Sequence, residues 1–191
     1  MHKRIVIAAA VALVSCGGSR WVDPTTGSFS AQDSAEVMTM LSGGMTAMAS
    51  QPAQQIPLQN SRALTQSVSL QVTCAVSGNV TVNGSSDSSC SGNTCTANAT
   101  LSMVLNACRT QNGLIGSGQL DVGAGGTQTT NGSVTTFNVQ EHIQGGITVT
   151  RASDGSTVGT CGIYLDATVS YDGTTQTVHV SGTVCKQAVA Q

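Results

Sequence analysis

From residue 63 onward the chain alternates apolar and polar residues with period two, and short Asn-Gly, Asp-Gly and Gly-rich stretches break the runs. Alternation of this kind puts every second side chain on one face of a strand, so it specifies sheets with one buried and one wet face. Val68, Leu70, Val72, Cys74 and Val76 alternate with Ser69, Gln71, Thr73 and Ala75. A second strand starts over 79–82, and a Ser/Gly/Asn loop is expected over 84–94. Ala97, Ala99, Leu101, Met103, Leu105 and Ala107 share a face. Asn112-Gly113 then reads as a two-residue hairpin turn, which pairs Leu105 with Leu120, Met103 with Val122 and Ala107 with Gly118.

A Gly/Thr loop over 123–131, a strand over 134–143, a turn at 144–146 and a strand over 147–151 follow. Residues 161–171 form the cleanest strand, with Cys161, Ile163, Leu165, Ala167 and Val169 inward. Asp172-Gly173 is expected to close another two-residue hairpin, pairing Leu165 with Val180, Ala167 with Val178 and Asp166 with His179. The last strand ends near Lys186. The expected fold is mainly β, with about eight antiparallel strands in a hairpin-rich curved sheet, barrel or sandwich.

One helix precedes the strands. Ser30-Ala31-Gln32-Asp33 has the form of a capping box, with Asp in place of the preferred Glu. Met38, Leu41, Met45 and Met48 recur at spacings of three and four, which puts them on one face of a helix over 31–49. Gly43-Gly44 costs about 1 kcal/mol per Gly relative to Ala, so the helix needs to dock on the sheet. The stripe reads first as core. Its second reading is a face for an apolar ligand.

The chain opens Met1-His2-Lys3-Arg4, followed by an apolar run over 5–14 and then Leu13-Val14-Ser15-Cys16. The basic start and short apolar run have the form of a secretory signal, and the run is shorter than the roughly 20 residues a transmembrane helix needs. Leu13-Val14-Ser15-Cys16 resembles the lipobox of bacterial lipoproteins. That resemblance implies lipidation of Cys16, cleavage before it and acylation of the new amino terminus, so that several acyl chains hold the protein on the membrane. No Asp follows Cys16, which in such lipoproteins favours the outer membrane. The expected organisation is a signal over 1–15, a lipidated tether over 16–30, a helix with its connection over 31–64, and a disulfide-stabilised β domain over 65–191. Trp21 is expected in the linker or packed on the domain.

Six cysteines remain besides Cys16: Cys74, Cys90, Cys95, Cys108, Cys161 and Cys185. An even number in an exported chain reads as three disulfides. With aromatic residues at 3%, the core is thin and such staples compensate. Pairing 74–108, 90–95 and 161–185 is expected, although six cysteines allow fifteen pairings. Two of these bridges meet a parity conflict: by alternation Cys161 faces inward and Cys185 outward, and Cys74 and Cys108 disagree in the same way. A bulge would repair it.

Charge narrows the function. Only 8% of residues are charged; after Cys16 five basic residues (Arg20, Arg62, Arg109, Arg151 and Lys186) stand against nine acids. Without a basic patch the chain is not expected to bind nucleic acid. No Cys-x-x-Cys or His pair suggests a metal site, and no cofactor is expected. Gly123-Ala124-Gly125-Gly126 has no following helix or nearby Lys and reads as a connector.

Asp166, His179 and Tyr164, with Ser170 or Ser181 nearby, form the one acid/base constellation, and it reads as a surface cross-strand pair. Glu141 on an apolar face is expected near a sheet edge beside Arg151. The expected function is therefore a non-enzymatic envelope lipoprotein. It meets the membrane through lipid on Cys16 and an envelope protein or glycan through its surface. The alternative is a periplasmic-facing carrier of a lipid or other apolar ligand, with Met38, Leu41, Met45 and Met48 lining its cavity.

Overall fold

The computed structural model describes residues 21–50 and 64–190, without the side chains of 43–50 and 64. The signal segment, Cys16, residues 51–63 and the side chains of Met45 and Met48 lie outside the described residues.

Helix α1 (Ala31–Ser50) precedes eight strands: β1 (Leu64–Thr73), β2 (Ser77–Ser91), β3 (Thr94–Arg109), β4 (Leu114–Asn131), β5 (Val134–Arg151), β6 (Thr157–Tyr171), β7 (Gln176–Val184) and β8 (Gln187–Ala190). All pair antiparallel in sequence order, β1 through β8. The sheet is one open layer, neither a closed barrel nor a sandwich. Helix α1 packs against it and touches β1 to β4 and β7.

The helix starts at the expected capping box. The Asp33 carboxylate accepts the Ser30 N–H (2.9 Å) and hydroxyl (2.8 Å), and Asp33 N–H donates to Ser30 Oγ (3.1 Å). Of the expected stripe, Leu41 is fully buried and Met38 packs partly against the core. Val37 and Met40 are further buried apolar residues of the helix. For Met40 the reason lies across the interface: a side chain at Gly116 of β4 would meet Met40 Sδ at 2.7 Å, so the bare glycine makes the hollow that Met40 fills. The helix is also pinned to the β3–β4 turn. The Thr110 hydroxyl donates to the buried Glu36 carboxylate and accepts the Leu114 N–H (3.1 Å).

The total of eight strands conceals two offsetting differences. The expected strands over 134–143 and 147–151 are one strand, β5, and β8 was not foreseen. Gly145 makes no turn; it lies flat against β4, where an added Cβ would stand 2.8 Å from Gln119 O and Leu120 Cδ2. The loops expected over 84–94 and 123–131 are mostly strand as well, with 123–126 paired on both sides.

Both expected hairpin registers move by two residues. At Asn112-Gly113 the turn holds three residues, closed by Thr110 N–H to Leu114 O (2.9 Å). A bulge between Leu105 and Cys108 adds another residue, so Leu105 faces Gly118 and Met103 faces Leu120. At Asp172-Gly173 the loop holds four residues. The Asp172 carboxylate accepts the N–H groups of Thr175 (2.8 Å) and Thr174 (2.9 Å) and the Thr174 hydroxyl (2.8 Å). These bonds depress its pKa to about 2 and fix the longer loop. Leu165 therefore faces Gly182, and Ala167 faces Val180.

The cysteines pair 74–108, 90–95 and 161–185, with Cα separations of 5.4, 4.0 and 4.5 Å. Each parity conflict is resolved by left-handed backbone. Ala107 (φ 48°) forms the bulge that lets Leu105 and Cys108 both face inward. Cys185 (φ 50°) and Lys186 (φ 68°) form the β7–β8 turn, and Cys185 N–H donates to Gly162 O at 2.8 Å. These three are the only described non-glycine residues with positive φ.

Residues 21–30, the described part of the tether expected over 16–30, are a strap bound to the sheet. The β6–β7 pairing stops at Ile163–Val184, leaving the edge of β6 beyond it open. The strap occupies that edge: Thr26 N–H donates to Thr160 O (2.9 Å), Thr160 N–H to Thr26 Oγ1 (3.1 Å) and Gly162 N–H to Thr25 Oγ1 (2.8 Å). Glycine is required at 162, where a Cβ would stand 2.0 Å from Asp23 Oδ1.

Candidate functional site

Three regions bear on function: the outer sheet face, a ring cluster at one end of it, and a cleft at the β3–β4 turn. On the outer face the register lines up Asp87, Asn98, Gly125, Gln140, Thr168 and His179 across six strands, and beside them Ser89, Thr96, Thr127, Asn138, Ser170 and Thr177. Strands stand about 4.8 Å apart, so these rows make a regular array of hydroxyl and amide groups. Neighbours tie one another: Ser69 Oγ to Asn83 Oδ1 at 2.8 Å, Ser89 to Thr96 at 3.0 Å and Thr94 to Thr129 at 3.2 Å. The array carries few charges, and Thr96, Asn98, Thr127, Asn138 and Gln140 are exposed.

The expected Asp166–His179 pair does not form. The four-residue loop puts Thr168 opposite His179 and Ser181 opposite Asp166. Asp166 meets His142 of β5 instead, with Oδ1 to Nδ1 at 2.7 Å. The His142 ring lies edge-on to Tyr164 (4.8 Å between centroids), and Trp21 of the strap packs on the other side of Tyr164 (5.8 Å). Burial first, then the Asp166 charge and its hydrogen bond, hold the Tyr164 phenol above its ordinary range. Chemically this is a carboxylate–imidazole pair with no nucleophile on it, because His142 Nε2 stands 3.3 Å from Gln144 Oε1. Neither Ser170 nor Ser181 is hydrogen-bonded to it among the described residues. Sequence reading missed the pair because it joins β5 to β6 across 24 residues.

Glu141 is not at an edge, and it is not beside Arg151. It sits mid-sheet on the inner face, between Ala124 and Ala167. Burial raises its carboxyl above the ordinary glutamate range. Arg151, at the far end of β5, reaches Asp33 instead (Nη2 to Oδ1, 3.5 Å). Burial raises the Asp33 pKa, but the Ser30 N–H and hydroxyl and Arg151 outweigh it and hold the carboxyl below its usual value.

Leu41 is fully buried in the core and Met38 packs partly against it. Where the described part of α1 meets the sheet, a small cleft of about 170 Å³ lies beside Met40 and Val72.

A concavity lies where the start of α1 meets the β3–β4 turn. It has about 490 Å³ and is lined by Phe29, Asp33, Glu36, Asn112 and Arg151 among others. A second cleft of about 260 Å³ shares Asn112 and Arg151 with it and is lined as well by Arg109, Gln111 and Ser153. Nothing in the local pattern announced this site, because Arg109 and Arg151 are far apart in the chain. Among the described residues no group of three His, Cys, Asp or Glu could hold a metal ion, and no described helix is long and apolar enough to cross a membrane. No protein-family model, no curated protein and no solved structure matches the chain.

Proposed function

We propose that the chain is a lipid-anchored cell-envelope protein whose folded domain acts by contact rather than by catalysis. The anchor rests on Lys3, Arg4, the apolar run and Leu13-Val14-Ser15-Cys16. The single observation that carries the contact half is the outer face: two rows of mostly hydroxyl and amide side chains with few charges, one of them broken by Gly125, on strands stapled by three disulfides. Such a face offers donors and acceptors at fixed spacing. It suits a hydroxyl-rich glycan of the envelope, or the polar surface of an envelope protein. In the described part of α1 the carrier reading has only the small cleft of about 170 Å³ beside Met40 and Val72, while Val37, Met40 and Leu41 are buried against the sheet.

Two experiments test the proposal. Cells making the full chain are labelled with a palmitate analogue; label on the wild type, and none on Cys16→Ser, is expected. Unlabelled wild type would refute the anchor. For the contact half, co-sedimentation with insoluble envelope glycan and with envelope membranes is compared between wild type and a Thr127→Arg/Asn138→Arg variant. Loss of retention with unchanged melting temperature is expected. Equal retention of both proteins would refute the role of this face.

A further inference from the structure

We propose that the cleft between the β3–β4 and β5–β6 turns binds an oxyanion, a phosphate or carboxylate group, through Arg109 and Arg151. Five basic residues follow Cys16 in a chain that is otherwise acidic, and two of them line this one cleft. Arg109 stands opposite Ile115 and Arg151 opposite Leu114; consecutive strand residues face opposite sides, so the two reach this cleft, at the end of the sheet, from its two faces. Arg151 already has Asp33 beside it at 3.5 Å, and the Ser156 N–H first, then the Arg151 charge, help hold the Asp154 carboxyl low. Arg109 has no ion-pair partner among the described residues, which leaves its charge open to an anion. Guanidinium forks match carboxylate and phosphate oxygens.

A second observation is independent of charge. Arg109 Nε is buried and has no hydrogen-bond acceptor. A buried N–H donor without a partner is rare, and Arg109 lines both this cleft and the smaller one beside Met40. The nearby acids are committed to local structure. Asp33 Oδ2 takes both Ser30 donors, with Oδ1 3.5 Å from one Arg151 nitrogen. Glu36 accepts from Thr110, and Asp154 Oδ1 accepts the Ser156 N–H at 2.9 Å. The remaining lining groups include the neutral donors of Gln111, Asn112 and Ser153.

The two turns form one rigid frame. Ala152 N–H donates to Gly113 O (2.7 Å), Thr110 N–H to Leu114 O (2.9 Å) and Arg151 N–H to Ser156 O (2.9 Å). The backbone of the site is therefore set before binding, and a ligand reaches the buried Arg109 Nε once that side chain turns toward the cleft. At about 260 Å³, the cleft has room for a phosphate or carboxylate with part of the molecule that bears it.

The test is a nitrogen–proton NMR titration of the full chain with sodium phosphate, against sodium chloride at matched ionic strength. The Nε–H resonances of Arg109 and Arg151 are read directly. Saturable shifts with phosphate and none with chloride are expected. Arg109→Gln and Arg151→Gln should each weaken binding at least tenfold, and Arg109→Lys, which keeps the charge, should weaken it less. If Arg109→Gln fails to fold, Arg109→Lys and Arg151→Gln decide.

A second arm separates the sources of the anion. Vesicles of phosphatidylcholine are compared with vesicles containing phosphatidylglycerol. Protection of the arginine signals by the anionic vesicles alone makes the ligand a lipid headgroup, whereas response to free phosphate alone makes it soluble. Non-saturating shifts equal to those with chloride, or affinity unchanged in the folded variants, would overturn the proposal.

Discussion

Removing the disulfides one at a time should destabilise the domain in an order set by loop length and burial. The bridged residues are 34, 24 and 5 positions apart for Cys74–Cys108, Cys161–Cys185 and Cys90–Cys95. In the chain-entropy model these loops stabilise by about 3.8, 3.4 and 2.1 kcal/mol respectively. Burial adjusts the order. Cys161 and Cys185 are within 2% of full burial, so replacing both by Ala also leaves a small cavity worth roughly 1 kcal/mol. The two long bridges should therefore each cost about 4 kcal/mol, close to twice the cost of the short one. Against a typical total of about 5–15 kcal/mol, either loss is severe. The assay is urea unfolding of the three double Cys→Ala variants under non-reducing conditions, followed by far-ultraviolet circular dichroism. The reasoning is refuted if Cys90→Ala/Cys95→Ala costs as much as either other variant.

Three further outcomes are expected. Asp33→Ala loses the capping box and the Arg151 partner and should cost about 1 kcal/mol; because the folded pKa lies below the ordinary value, this contribution is present above the unfolded pKa and fades as pH falls through the folded one, so wild type and variant should converge in acid denaturation curves. Glu141 has the opposite sign: its folded pKa is raised, so the fold is penalised increasingly as pH rises from the ordinary glutamate value through the raised one, and Glu141→Gln should gain on the order of 1 kcal/mol at neutral pH and nothing at pH 3, as read by thermal melts at both pH values. Gly162→Val would drive a side chain into Asp23, Pro24 and Thr25; it should cost about 1–3 kcal/mol, and Trp21, the only Trp, should red-shift in fluorescence as the strap leaves Tyr164, whereas an unshifted spectrum would contradict the strap's placement.

Most of the architecture was legible in the alternation of side chains, because a period of two assigns faces whatever the turn length. Both hairpins were misjudged by two residues, yet Leu105, Met103, Leu165 and Ala167 still face inward, since a shift of two preserves parity. The left-handed residues Ala107, Cys185 and Lys186 escaped notice because none is a glycine, and the disulfides they serve were visible only as a conflict. Glycines misled in the other direction. Gly123 and Gly125 are paired on both sides within β4, and Gly145 packs closely against β4; none of them makes a turn. On the helix, Met40 could be recognised as buried only by knowing that Gly116 lies opposite. The candidate sites were the least legible part. His142 with Asp166, and Arg109 with Arg151, are joined by register, and local spacing does not encode register.

The measurement that tests the contact reading most directly is NMR mapping of the full chain against soluble fragments of envelope glycan, following the side-chain amides of Asn98, Asn138 and Gln140. These three lie on the outer rows of the sheet. Saturable shifts at all three, with the methyl signals of Val37 and Leu41 unchanged, are the predicted result. Shifts confined to the helix–sheet interface would contradict the account and turn attention to an apolar ligand held between α1 and the sheet.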